Sequence, residues 1–263
     1  MLTIILVIYK TDKNKLRNIL KGVGSRHNIL IVDNSCNYNF KNIKLTKKTK
    51  IIRSQNNGNG AGINIALKNC KTENAIYTDI DVKFHKNFIK ELINISKKIK
   101  NFSVLVPNHG KFKKESKIIK NFIGEAPVMF FNLRNLRKIN FFDENFFLYY
   151  EEIDILFRSI KNNFPTYLIP NLRIKHERAT STINSKRIKN LRQWHYMWSM
   201  FYFYKKHYNF FIALNKTFKF LIKDTVIFLI YFITFNFKKS SIRFFRLYGL
   251  ICSILGFKSF LRE

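Results

Sequence analysis

Two short acidic clusters carry the residues best suited to chemistry. Asp79 and Asp81 stand two apart in "YTDIDVKFH", and Glu151, Glu152 and Asp154 lie within "EEID". The chain holds 48 Lys+Arg against 16 Asp+Glu, a formal net charge of +32, and five of the sixteen acids fall in these two clusters. Acids kept for solubility would be scattered, so the clusters want a local explanation. Carboxylates at the edge of a core are costly unless something pairs with them. Asp79 and Asp81 therefore call for a positive partner: a lysine, a metal ion or nothing but water. On a helix, Glu151 and Asp154 share a face and Glu152 points elsewhere, while Arg158, four after Asp154, can pair with it.

The elements that must position these acids read as alternating strands and helices over the first 180 or so residues. "TIILVIY", "NILIVDN", "IIRS", "NAIYTDI", "VLVPN" and "PTYLIP" are strand-like. Between them, "DKNKLRNILKGVG", "NGAGINIALKNC", "NFIKELINISKKIK" and "EEIDILFRSIKNN" have helical spacing. "GEAPVMFFNLRNLRKI" adds a strand and a short helix. Continuous apolar strands between helices imply an α/β domain with a mostly parallel sheet covered on both faces. Ligands of such sheets collect at the carboxyl ends of the strands. Asp33 closes "ILIVDN", Asn57 and Gly58 follow "IIRSQ", and Asp79 and Asp81 close "NAIYTDI", so three strands deliver polar groups to one rim. Singly, an Asp after a strand is more often a turn former. "NNGNGAGINIAL" is neither a Walker loop nor a dinucleotide fingerprint. It reads as a turn and helix start, or as a close backbone approach to a nucleotide.

The character changes near residue 184. From there to 263 the chain carries 15 Lys+Arg and 2 Asp+Glu amid dense Phe, Ile and Leu. The longest uncharged run, Thr225 to Phe237, is 13 residues, short of the roughly 20 that span a bilayer. Residues 184–263 thus read as a basic, aromatic helical extension suited to the plane of an anionic membrane surface; a helical cap or a dimer interface would use the same pattern. Trp194, Trp198 and Tyr202 fall at helical spacing as a packing stripe, and His195 and His207 read as structural. Cys36, Cys70 and Cys252 form no paired motif, which fits a reducing compartment. "MLTIILVIYK" reads as a first strand and not a signal peptide. The net charge would attract polyanions, although abundant Lys, Asn, Ile, Phe and Tyr also suit an A+T-rich genome.

"VDNS", "NNGNGAGINIAL", "TDIDV", "GEAPVMFFNLRNLRKINFFDENFFLYYEEIDILFR" and "KHERATS", in this order, resemble the family 2 glycosyltransferases, particularly their rhamnosyltransferase-like branch. The likeness covers roughly residues 2–207. It implies a GT-A fold for residues 1–183 and an inverting transfer from a nucleotide diphosphate-sugar, UDP- or dTDP-linked, with Mg²⁺ or Mn²⁺. By the same resemblance Asp81, with Asp79 and His176, would face the ion. Asp33 would hydrogen-bond the base, Asn57 and Gly58 would border the nucleotide, and Arg178 would contact phosphate, with Arg158 a further donor-side candidate. Glu152 stands where the family's proposed base is usually aspartate, and Glu151 or Asp154 would be the acids able to share its task. The implied acceptor is a hydroxyl of a growing, lipid-linked surface glycan, at the cytoplasmic face of the membrane. The alternatives are a basic nucleic-acid-binding protein, against which stands the lack of a helix-turn-helix, zinc or RNP pattern, and a non-catalytic membrane-surface scaffold.

Overall fold

The computed structural model describes residues 2–113, 117–177 and 185–262. Its strands are β1 (Thr3–Ile8), β2 (Asn28–Asp33), β3 (Thr49–Arg53), β4 (Asn74–Thr78), β5 (Val82–Lys83), β6 (Val104–Asn108), β7 (Ile119–Lys120), β8 (Val128–Asn132), β9 (Thr166–Arg173) and β10 (Lys175–His176). The helices are α1 (Lys13–Val23), α2 (Asn59–Lys68), α3 (Phe88–Lys98), α4 (Leu133–Lys138), α5 (Glu151–Lys161), α6 (Lys186–His207), α7 (Phe210–Ile233) and α8 (Phe237–Ile254).

Eight strands form one sheet in the order β3-β2-β1-β4-β8-β6-β9-β7. β1 to β4 run parallel, while β8 lies antiparallel between β4 and β6, and β7 is antiparallel to β9. The pleat sends alternate residues of β1 to opposite faces. Ile4, Leu6 and Ile8 join Leu16, Ile19 and Val23 of α1, whereas Ile5 joins Ile63, Ala66 and Leu67 of α2. Both faces are covered, which is why these strands are apolar without alternation. α1 starts where Asp12 accepts from the backbone N–H groups of Asn14 (2.9 Å) and Lys15 (3.1 Å). It stops at Gly24, whose φ of 71° an L side chain rarely adopts.

The chain divides into two compact units. The first comprises Met1–Asp143 and Glu152–Ile183; the second comprises Glu144–Glu151 and Asn184–Glu263. The second is built on α6, whose Trp194, Met197, Trp198 and Phe201 are buried, as befits a helix apolar on most sides. Trp198 stacks between Trp194 (6.4 Å) and Tyr202 (4.9 Å), the packing stripe that the spacing suggests. α8 crosses α6 so closely that a Cβ on Gly249 would lie 2.2 Å from the Trp194 carbonyl oxygen. Asp224 of α7, almost wholly buried, accepts from Arg243 and Arg246 of α8, each at 2.7 Å. The outward side of α7 leaves Phe211, Phe218, Ile222, Val226, Leu229 and Ile233 exposed. Among the described residues no helix is long and apolar enough to cross a membrane.

Candidate active site

Parallel β1 to β4 end on one edge of the sheet, and the acids of the first cluster leave from there. Asp79 follows β4 directly, and its N–H donates to the carbonyl of Pro127 at 2.8 Å. Its Oδ1 accepts from the Tyr77 hydroxyl at 2.6 Å; the same hydroxyl lies 3.1 Å from Asn59 Oδ1 at the start of α2. Asp81 is almost fully buried. The chain then enters β5, which pairs antiparallel with β10, so that Val82 opposes His176. The carbonyl of Asp81 accepts from the Glu177 N–H at 3.0 Å, closing this small ladder.

That pairing brings His176 to both aspartates. Its Nε2 stands 3.2 Å from Asp81 Oδ1 and 3.6 Å from Asp79 Oδ2, and its Nδ1 is 3.9 Å from Glu125 Oε1. The donor atoms of Asp79, Asp81 and His176 all lie within 4.8 Å of one another. Burial, opposed by the Tyr77 hydrogen bond and reinforced by the charge of Asp81, pushes the Asp79 carboxyl up to about 6. Burial acts to lower the His176 imidazole, but its hydrogen bond to Asp81 and the charges of Asp79, Asp81 and Glu125 outweigh it, leaving the pKa raised. Three acids facing one imidazole, in so basic a chain, make a site that favours added positive charge. Two carboxylates and an imidazole suit a small divalent cation that accepts both oxygen and nitrogen.

Glu125, Tyr77 and Asn59 have no place in the expectations from sequence; in the structure the Tyr77 hydroxyl links Asp79 to Asn59. The missing signal is direction. Because β8 is antiparallel to β4, Val128 opposes Thr78, and the segment before β8 returns to the aspartate rim. There Glu125 pairs with Lys111 at 2.8 Å.

The other expected residues divide. Asp33 is wholly buried at the end of β2, where Oδ1 accepts from Ser35 N (2.9 Å) and Oδ2 from Tyr38 N (2.8 Å). It shapes the following loop, and any base contact would share oxygens already holding that turn. Asn57 and Gly58 lead into α2, with Gly58 at a φ of 108° and its carbonyl accepting from Asn34 Nδ2 at 3.2 Å. Four residues on, a Cβ on Gly62 would meet Val7 Cγ1 at 2.7 Å, so this glycine lets α2 lie against β1. Arg178 lies outside the described residues.

Within the second cluster, Glu151 is buried and Glu152 half-buried in the first turn of α5, where helix N–H groups favour negative charge. The two residues before them, Tyr149 and Tyr150, both adopt the left-handed region with φ of 66° and 68°. Asp154 is wholly buried and accepts from Arg158 Nε at 2.7 Å. The Arg158 guanidinium also donates to the carbonyls of Ile139 and Phe141. Asp154 and Arg158 thus clamp α5 to the loop after α4. His195 is buried as well, with Leu261 O at 2.9 Å, Ser259 Oγ at 3.2 Å and the Phe147 ring at 4.6 Å.

A mostly parallel sheet flanked by helices, with an Asp-x-Asp turn at its carboxyl rim, is the arrangement of the GT-A glycosyltransferases. The chain belongs to glycosyl transferase family 2, whose family model matches residues 3–161. It is 24% identical over 194 residues to the low-salt glycan biosynthesis hexosyltransferase Agl10 of Haloferax volcanii, covering 62% of each chain. The chain therefore spans 62% of the length of the curated relative it matches. Among solved structures it resembles the mannosyltransferase PcManGT of Pyrobaculum calidifontis, in complex with GDP-Man and Mn²⁺. That match has a TM-score of 0.59 at 10% identity and covers 96% of this chain and 86% of that one. GalNAc-T7 with UDP, GalNAc and Mn²⁺ matches at a TM-score of 0.55 and 13% identity, over 67% of this chain and 43% of that one.

Proposed function

We propose that this chain transfers a sugar, with inversion, from a nucleoside diphosphate donor to a hydroxyl of a growing cell-surface glycan. The observation that carries the reading is the convergence of Asp79, Asp81 and His176, with donor atoms within 4.8 Å of one another. These three residues would hold Mg²⁺ or Mn²⁺. Bound with the donor, such an ion supplies Lewis-acid neutralisation of the departing diphosphate. Tyr77 fixes the rotamer of Asp79, and the β5–β10 ladder fixes the imidazole against Asp81. Glu152 accepts the proton of the acceptor hydroxyl, its longer side chain replacing the aspartate usual at this position. Asn57 and Gly58 border the nucleotide. The Mn²⁺ named for PcManGT and GalNAc-T7, the GDP-Man of the first and the UDP and GalNAc of the second, and the glycan biosynthesis named for Agl10, support this reading. UDP- and dTDP-sugars, rhamnose among them, are the donors to try first.

The C-terminal unit is read as lying on the anionic, cytoplasmic face of the membrane. Its support is α7, where exposed Phe218, Ile222 and Val226 alternate with Lys216, Lys219 and Lys223.

A panel of nucleotide sugars, screened by thermal shift with Mn²⁺ and then by turnover, tests the chemistry. One donor should raise the midpoint by mass action, and EDTA should abolish its turnover until Mn²⁺ is restored. Stability indifferent to every donor, or turnover indifferent to EDTA, would overturn it. Sedimentation with anionic liposomes tests the membrane reading: binding that weakens with salt is expected, and a protein left in the supernatant at low salt refutes it.

A further inference from the structure

The C-terminal unit contains a cavity of about 400 Å³ to which sugar transfer assigns no task. Its walls are apolar, from Leu191 of α6, Phe245 of α8 and Leu261. Lys186, Arg187 and Arg262 line it as well, and among the described residues no acid does. Lys186 and Arg187 open α6, where the helix dipole adds to the positive field. The Arg262 guanidinium is steadied over the Phe147 ring, 4.0 Å from its centroid.

Asn190 also lines the cavity and is only 7% exposed. Its Nδ2 donates to Ser241 Oγ at 2.8 Å, but its Oδ1 has no hydrogen-bond partner among the described residues. That oxygen is itself buried, so Asn190 shapes the wall and leaves recognition to the cations. The ligand should therefore carry an anion for three cations and hydrocarbon for the walls. The volume fits a headgroup and its first methylenes. Longer chains would continue over Phe244 and Phe260, the exposed sequence neighbours of Phe245 and Leu261.

We propose that this cavity binds the headgroup of an anionic membrane phospholipid, for which phosphatidylglycerol is the probe. The inference rests on the reading that this unit lies at an anionic membrane surface, to which it adds a defined lipid site.

The test follows thermal unfolding of the full chain with dihexanoyl-phosphatidylglycerol below its micelle concentration, with dihexanoyl-phosphatidylcholine, and with inorganic phosphate. Only the glycerol lipid should raise the midpoint. Lys186→Gln/Arg187→Gln, both at exposed positions, should need at least about tenfold more of it for the same rise. Lys216→Gln/Lys219→Gln, which removes the same charge from α7, should respond like the wild type. An equal rise with phosphate or with phosphatidylcholine, or indistinguishable responses from the two variants, overturns the proposal. Because the probe is a dissolved monomer, this result is independent of liposome binding: the cavity can fail while the membrane reading survives, and the reverse.

Discussion

His176 is the register partner of Val82, and that pairing sets its imidazole 3.2 Å from Asp81. A two-residue ladder thus decides whether the third ligand of the proposed cation site is present. His176→Ala should raise the Mn²⁺ concentration for half-maximal turnover by about 10–100-fold, the range seen when a metal site loses a supporting group. Calorimetric Mn²⁺ titration checks it, and an unchanged affinity would remove His176 from the site.

Protons and metal should compete there. Asp79 is raised to about 6 and His176 is raised too, so the folded, metal-free protein holds protons that the unfolded chain would release. This contribution to stability is complete below the unfolded values and is lost as pH rises through the folded ones. Metal-free protein should lose stability from about pH 4 to above pH 6, while the Mn²⁺-induced rise in midpoint grows over that window. Paired melts across this range give both trends.

Glu152→Gln should lower kcat by about 10²–10⁴-fold while leaving donor binding within severalfold of wild type. Glu151→Gln, at a buried position, and Asp154→Asn, which breaks the Arg158 clamp, should instead lower stability. If Glu152→Gln retains full turnover, another group is the base.

The Asp224 carboxylate, almost wholly buried, is held by Arg243 and Arg246 at 2.7 Å each. Asp224→Ala leaves both guanidinium groups without their anion and should destabilise the C-terminal unit by about 3–5 kcal/mol. Urea unfolding followed by tryptophan emission reports on it, because both tryptophans lie in α6.

Burial pushes His195 down to about 3, so it is folded as the neutral imidazole. Its stability contribution is full above pH 6.5 and declines as pH falls toward 3, by about 1.4 kcal/mol per unit. Between pH 7 and pH 5 the wild type should lose about 2 kcal/mol from this group, a loss absent in His195→Phe.

Long apolar runs made β1, β2, β4 and β6 legible from sequence, and the spacing of "DKNKLRNILKGVG" marked α1. β5, β7 and β10 were not legible, because two residues carry no period. They matter out of proportion, since β5 and β10 supply the His176 contact. The antiparallel course of β8, which returns Glu125 to the rim, is equally invisible to a pattern of apolar residues. The "FFDENFFLYYEEIDILFR" stretch reads as one motif, yet its Glu144–Glu151 belongs to one compact unit and the residues on either side to the other. Local spacing cannot announce that the Phe147 ring stacks on His195 and the Leu148 carbonyl accepts from Ser199 Oγ.

Tyr149 and Tyr150, consecutive in the left-handed region, are held there by their surroundings, with both rings against Tyr196. Each such residue stores on the order of 1–3 kcal/mol. An engineer replacing either tyrosine with glycine would relax the backbone and forfeit the aromatic grip immediately upstream of the acid pair. Selection at these two codons therefore weighs backbone relief against lost ring packing, two effects of opposite sign on the stability of this unit.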